Sequence, residues 1–167
     1  MAAASAKESP KPRLDKIDRK ILAILQDDAA TPLQEIAAKV NLSTTPCWRR
    51  IQQLRERGVI RRTVAILDPA KVNLPVSVFV AIKTSQHNAA WLERFARGVK
   101  ELDEVVEFYR MSGDVDYLLR VVVPDIAGYD VFYKKLIKVA ELTDVSSSFA
   151  MEEIKYTTAL PLGQAVE

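Results

Sequence analysis

The sequence predicts an α+β chain of two small domains, and three observations carry that expectation. Apolar residues recur at helical spacing in three segments between Leu14 and Gly58, whereas β-rich and helical runs follow Pro75 in the order β-α-β-β-α-β. Charge changes sign between the two parts. Residues 1–63 hold 13 Lys and Arg against 7 Asp and Glu, a net +6, while residues 64–167 hold 11 against 15, a net −4. A basic front joined to an acidic back suggests a nucleic-acid module attached to a domain with another task. The 167 residues, 49% hydrophobic and 28% charged, suffice for two cores.

The first dozen residues, rich in Ala, Ser, Lys and Pro, lack periodicity, so 1–13 is expected as a disordered tail. Leu14, Ile17, Ile21, Leu22 and Leu25 then mark a first helix that stops around Asp27 and Asp28. Thr31-Pro32-Leu33-Gln34 has the capping-box pattern, with Thr31 as N-cap, Pro32 at the first helical position and Gln34 at the third. Leu33, Ile36, Ala37 and Val40 form the inner face of this second helix. Asn41 and Leu42 turn the chain into a third, whose N-cap is either Thr45, disfavoured from the α region by Pro46, or Ser43. Gly58 is its C-terminal stop, and Val59 to Ile66 reads as a β wing. Residues 14–66 are thus a winged helix-turn-helix domain.

Residues 43–62 hold six arginines against one glutamate. Cys47, Ile51 and Leu54 recur at i, i+4 and i+7, so they face inward while Thr45, Arg49, Gln52 and Glu56 point away. Arg50 lies nearer the inner stripe than Arg49. The residues expected to meet double-stranded DNA are Ser43, Thr44, Thr45, Trp48, Arg49, Arg50, Gln52 and Gln53, with Arg61 and Arg62 from the wing. Hydroxyls and guanidinium groups suit phosphate oxygens and base edges, and helix N-terminal amides suit phosphate. Trp48 has two readings, covering the edge of the core or touching DNA. The plain alternative for the whole unit is a packed helical hairpin with a solvated basic face.

Residues 67–75, bounded by Pro69 and Pro75, form a linker, and residues 76–167 form the second domain. Val76 to Lys83 is β-rich, Ala89 to Val99 has helical spacing through Trp91, Leu92, Phe95 and Val99, and Val105–Met111 and Tyr117–Val123 are strands around Ser112–Asp116. A second helix spans Ile126 to Val139, with Tyr129, Phe132, Tyr133, Leu136 and Ile137 near one face, and a last strand falls within Ser146 to Thr157. That order is a ferredoxin-like βαββαβ unit. Its aromatic helix around Phe132 and Tyr133 and its apolar sheet surface are expected to be covered by partner chains.

Other classes of function find little support. No run approaches the roughly 18 apolar residues of a membrane span, and Met1 to Arg13 lacks the apolar segment of a secretory signal, so a cytoplasmic protein without membrane contact is expected. Cys47 is the only cysteine, which excludes an internal disulfide or a multi-cysteine zinc site, and it is expected as a small buried apolar residue. His87, the only histidine, sits in a polar loop with no evident nucleophile beside it. No catalytic residue, metal or cofactor is assigned.

Four blocks resemble one family in order and spacing: Leu14-Asp15-Lys16-Ile17-Asp18-Arg19-Lys20-Ile21-Leu22, Ser43-Thr44-Thr45-Pro46-Cys47, Ser112-Gly113-Asp114-Val115-Asp116-Tyr117 and Met151-Glu152-Glu153. From Leu14 to about Leu162 the chain is similar to the leucine-responsive and asparagine-responsive (Lrp/AsnC, feast/famine) transcription regulators. That resemblance implies an N-terminal winged helix-turn-helix, a C-terminal domain that senses amino acids, and homodimers that assemble further, often to octamers. It implies an effector site at Gly113, Asp114 and Asp116 near an oligomer interface, with Ser146, Ser147 and Ser148 lining the side-chain pocket. Carboxylates can receive an α-ammonium group and loop amides an α-carboxylate. Read from the residues alone, Gly113 permits a tight turn, the aspartates are solvated turn residues and the serines belong to an ordinary strand. The chain has Ala140-Glu141 where the family often has Pro-Gly before the last strand. Residues 148–158 resemble a branch linked to sulfur amino acids, which makes cysteine the first effector to try. The alternative function is an amino-acid-binding allosteric subunit of a metabolic enzyme.

Overall fold

The computed structural model describes residues 13–86 and 88–164. The tail expectation, apart from Arg13, and the reading of His87 as a loop residue lie outside the described residues. Contacts divide the described residues into two units, one comprising 13–65 together with 155–164, the other Ile66–Ile154.

In the first unit, α1 spans Lys16–Asp27 behind a reciprocal capping box: the Asp18 amide donates to Asp15 Oδ1 at 2.7 Å and the Asp15 amide to Asp18 Oδ2 at 3.4 Å. α2 spans Leu33–Lys39, and here the structure departs from the expected capping box. Pro32 is the N-cap, no side chain caps the helix, and the Thr31 hydroxyl instead donates to the Asp28 carbonyl at 2.8 Å. With Thr31 used by the preceding turn, the helix starts one residue later. Asn41, at φ 57°, makes the left-handed turn that asparagine tolerates, and α3 follows over Thr44–Glu56. It ends in a Schellman motif in which Gly58, at φ 71°, donates to Arg55 and Val59 to Leu54, both at 2.9 Å. Ile21, Leu22, Ile36, Ala37, Cys47, Ile51 and Leu54 close the core.

Val59 and Ile60 pack on that core, but Arg61 to Ile66 is exposed and has no strand partner among the described residues, so the wing is not a β-strand. The reason is local: both amides that could open a ladder, those of Val59 and Ile60, go to the Leu54 carbonyl. The first unit also contains a return of the chain that the expected 76–167 boundary missed. The Gln26 side chain pairs with the backbone of Leu160, accepting from its amide at 2.8 Å and donating to its carbonyl at 3.3 Å, while Leu162 packs against the helical core.

The second unit has β1 (Val76–Lys83), α4 (Ala89–Lys100), β2 (Val105–Arg110), β3 (Tyr117–Val123), α5 (Ile126–Val139) and β4 (Asp144–Phe149). The sheet is antiparallel throughout in the order β2-β3-β1-β4, the ferredoxin-like arrangement expected. The last strand begins earlier and ends at Phe149, one further bond joining the Ala150 amide to the Ser77 carbonyl at 2.9 Å. Val78, Val80 and Ile82 of β1 and Tyr117, Leu119, Val121 and Val123 of β3 meet Trp91, Phe95, Val99, Phe132 and Leu136 of the two helices. Period-2 strands and 3.6-period helices thus share one apolar layer. Phe132 is fully buried there, which corrects the expectation that it faces a partner chain. The opposite sheet face carries Phe79, Leu118, Tyr109 and Arg120, and no helix among the described residues covers it.

Candidate nucleic-acid interface and ligand loop

The geometry of α3 follows from its inner stripe. Cys47, Ile51 and Leu54 are buried, which turns Thr44, Thr45, Trp48, Arg49 and Gln53 outward and leaves Gln52 half-buried. Burial is the largest influence on the Cys47 thiol and raises its pKa, with Arg50 pulling the other way. A protonated thiol enclosed by apolar side chains is a packing residue. Ser43 is the N-cap, in extended conformation and without a side-chain cap, and the first amide bonded within the helix is that of Cys47, to the Ser43 carbonyl at 3.2 Å. Pro46 therefore sits in the first turn, where no donor is needed, and the end of α3 is open to an anion. Arg61 and Arg62 are exposed on the segment beyond.

Arg50 is placed differently from the other arginines. Its Nη1 donates to Asp15 Oδ2 at 2.6 Å and to Asp18 Oδ1 at 2.7 Å, tying α3 to the capping box of α1. Hydrogen bonds to Asp15 and then Asp18 hold the guanidinium pKa above its ordinary range. Asp18 is one of two buried polar residues among the described residues. Arg50, expected among the residues that meet DNA, thus has its Nη1 held by both carboxylates, in line with its place nearer the inner stripe than Arg49. The signal was in the sequence: Asp15 and Asp18 stand at capping-box spacing, and Arg50 lies on the inward side of its helix.

Arg50→Ala is expected to cost about 1–3 kcal/mol, since it leaves the Asp18 carboxylate buried without its cation. Desolvation raises the Asp15 pKa, but the Asp18 amide and Arg50 outweigh it and hold the carboxyl below its ordinary 3.8. Asp15 thus contributes stability above that value and loses it as the pH falls through its lowered native value. Melting curves from pH 7 down to 3 should show the gap between wild type and Arg50→Ala narrowing in acid. Equal melting temperatures at pH 7 would sink the clamp.

At the other unit's loop, Gly113 has φ 118°, a region that disfavours any side chain. Asp116 is structural in part: its Oδ2 accepts from the Thr84 amide at 2.8 Å, its own amide donates to the Ile82 carbonyl at 3.0 Å, and its carbonyl accepts from Met111. These bonds pin the loop to the end of β1. Asp114 projects beyond it with its side chain 90% exposed and accepts from Lys83 Nζ at 2.9 Å. The hydrogen bond to Asp114 holds the Lys83 ammonium above its ordinary range. In the sequence Lys83 stands only as a strand end, although a lysine closing β1 is the residue that meets the loop between β2 and β3. Ser146 stands opposite Ala81 and Ser148 opposite Phe79, both on the helix-free face, whereas Ser147 points the other way to Tyr129. Ser148 is therefore four strand positions from Lys83, about 13 Å along the strand, and is not brought to the loop within one chain.

An arginine-rich helix-turn-helix joined to an α/β sandwich with a polar loop at its sheet end defines a DNA-binding transcriptional regulator with a ligand-binding domain. Residues 14–61 match the family model described as winged helix-turn-helix DNA-binding, and residues 77–160 match the Lrp/AsnC ligand binding domain. The chain belongs to the Lrp/AsnC family of transcriptional regulators. It is 53% identical over 150 residues to the DNA-binding transcriptional activator DecR of Escherichia coli K12, covering 89% of this chain and 99% of that one. Among solved structures, an AsnC family transcriptional regulator from Agrobacterium tumefaciens superposes with a TM-score of 0.87 at 65% identity, over 90% of this chain and 98% of that one. A transcriptional regulator from Neisseria meningitidis, solved in complex with L-methionine, gives 0.85 at 36% identity, over 89% and 97%. No helix among the described residues is long and apolar enough to cross a membrane.

Proposed function

We propose that this regulator of amino-acid metabolism acts in the cytoplasm, binds specific operator sequences with α3 in the major groove, and is set by an amino acid held at the Gly113–Asp116 loop where subunits meet. On the DNA side, Ser43, Thr44 and Thr45 at the open helix end approach phosphate, Arg49, Gln52 and Gln53 approach base edges, and Arg61 and Arg62 approach the flanking backbone. Arg50 serves this surface by fixing the helix, not by entering the groove.

The observation that carries the effector reading is the exposed Lys83–Asp114 pair beside Gly113. An amino acid offers the complementary ammonium and carboxylate, and an exposed ion pair is weakened by solvent screening, so exchanging it for a ligand costs little. Asp116 holds the loop, and Ser146, on the same face as Lys83, contacts the side chain. Ser148 enters only as a contact from a neighbouring subunit. The apolar residues Phe79, Leu118 and Tyr109 on the helix-free sheet face support a homodimer, which we extend to a higher oligomer such as an octamer.

Cysteine and methionine head the effector screen, the second because the Neisseria relative was solved with it. Thermal shift on the full chain reads the outcome, since a ligand at a hundred times its Kd stabilises the native state by about 2.7 kcal/mol. Asp114→Ala is expected to lose that shift and keep operator binding. A titration of Asp114→Ala indistinguishable from wild type would move the effector site elsewhere.

A further inference from the structure

Trp48 stands on the outward side of α3. It is 51% exposed, so it does not close the edge of the core. Trp48 Nε1 and Arg55 Nη1, both donors, face the same end of the Gln52 amide at 3.3 Å each, which assigns the amide oxygen to that end as their acceptor. The indole has one polar group, and it is used within α3. What Trp48 presents outward is therefore hydrocarbon alone, on the first turns of the helix beside Thr44, Thr45 and Arg49.

Building on the proposal that α3 enters the major groove, we infer that Trp48 reads the 5-methyl group of thymine. A donor-less aromatic surface gains nothing from a phosphate oxygen or from the N7 and O6 acceptors of guanine. Among the base edges of the major groove, the thymine methyl is the apolar element. Trp48 keeps two χ angles, and the bond to Gln52 restricts them, so the ring meets the methyl without much loss of freedom. Gln52 acquires a corresponding limit. Its oxygen is committed to Trp48 and Arg55, so it offers the groove donors only and does not make the two-bond contact to adenine that needs both ends of the amide. Trp48 selects thymine, and Gln52 positions it.

The test begins by enriching binding sites from a random duplex pool with the full chain. Each thymine of the enriched half-site is then replaced in turn by uracil, which removes the methyl and nothing else. Wild type is expected to lose about fourfold in affinity at one or two positions, the worth of a buried carbon. Trp48→Ala, with an unchanged melting temperature, should bind the thymine site more weakly and be indifferent to uracil at those positions. Trp48→Phe should retain part of the discrimination. Wild type that enriches a site yet ignores every uracil overturns the Trp48 assignment alone, as does Trp48→Ala with the wild-type thymine-to-uracil ratio. Wild type that enriches no sequence at all overturns the groove reading of α3 together with it.

Discussion

Phe132→Ala is expected to destabilise the second unit by about 3–5 kcal/mol, the usual cost of removing a buried phenyl ring. Phe132 is fully enclosed by its own chain, within 5.8 Å of the Tyr129 ring between centroids, and no water can replace the lost contacts. Against a total stability of about 5–15 kcal/mol, a loss of that size leaves the domain marginal. Tyr133→Ala, on the half-buried flank of the same helix, should cost clearly less. Urea titrations followed by tryptophan fluorescence, which reports Trp91 in this core, measure both. A Phe132→Ala protein that keeps its midpoint and loses only its oligomeric state would return Phe132 to the surface, where the sequence pattern had put it.

Arg49→Ala should have the largest effect on DNA. Arg49 is exposed on the outward face, and among the described residues no carboxylate competes for it as for Arg50. Loss of a two-bond contact to guanine costs about 1–3 kcal/mol, roughly 5- to 200-fold in operator affinity, and relaxes specificity at one position. If Arg49 meets phosphate instead, affinity falls evenly across sequences and the salt slope drops by about one. Gel-shift titrations at several salt concentrations separate the two cases. Arg49→Ala should melt like wild type, in contrast to Arg50→Ala, and unchanged affinity would take α3 out of the interface.

Much of the architecture was legible because periodicity is strong where burial is one-sided. Cys47, Ile51 and Leu54 lined the core as spaced, and Val76–Lys83 emerged as one of the two inner strands of the order its neighbours implied. The failures share a cause, competition for a partner that only three dimensions reveal. Thr31 gave its hydroxyl to the preceding turn, Val59 and Ile60 gave their amides to Leu54, and Arg50 went to two carboxylates more than thirty residues away. For the candidate site, the loop residues could be named from their block. The contact between Asp114 and Lys83 could not, since it joins the end of one strand to the turn between two others.

The pairing of Gln26 with Leu160 spans 134 residues, and it changes the order in which this protein can be finished during synthesis. The helix-turn-helix leaves the ribosome first, but its last backbone partner is made after the whole of the sheet domain. A nascent chain therefore lacks this contact until Leu160 has emerged, and closing so long a loop is slow compared with forming the helices themselves. Chains cut short before Tyr156 would keep the arginine face and lose the strap, a species able to reach DNA without the segment that tethers its first helix.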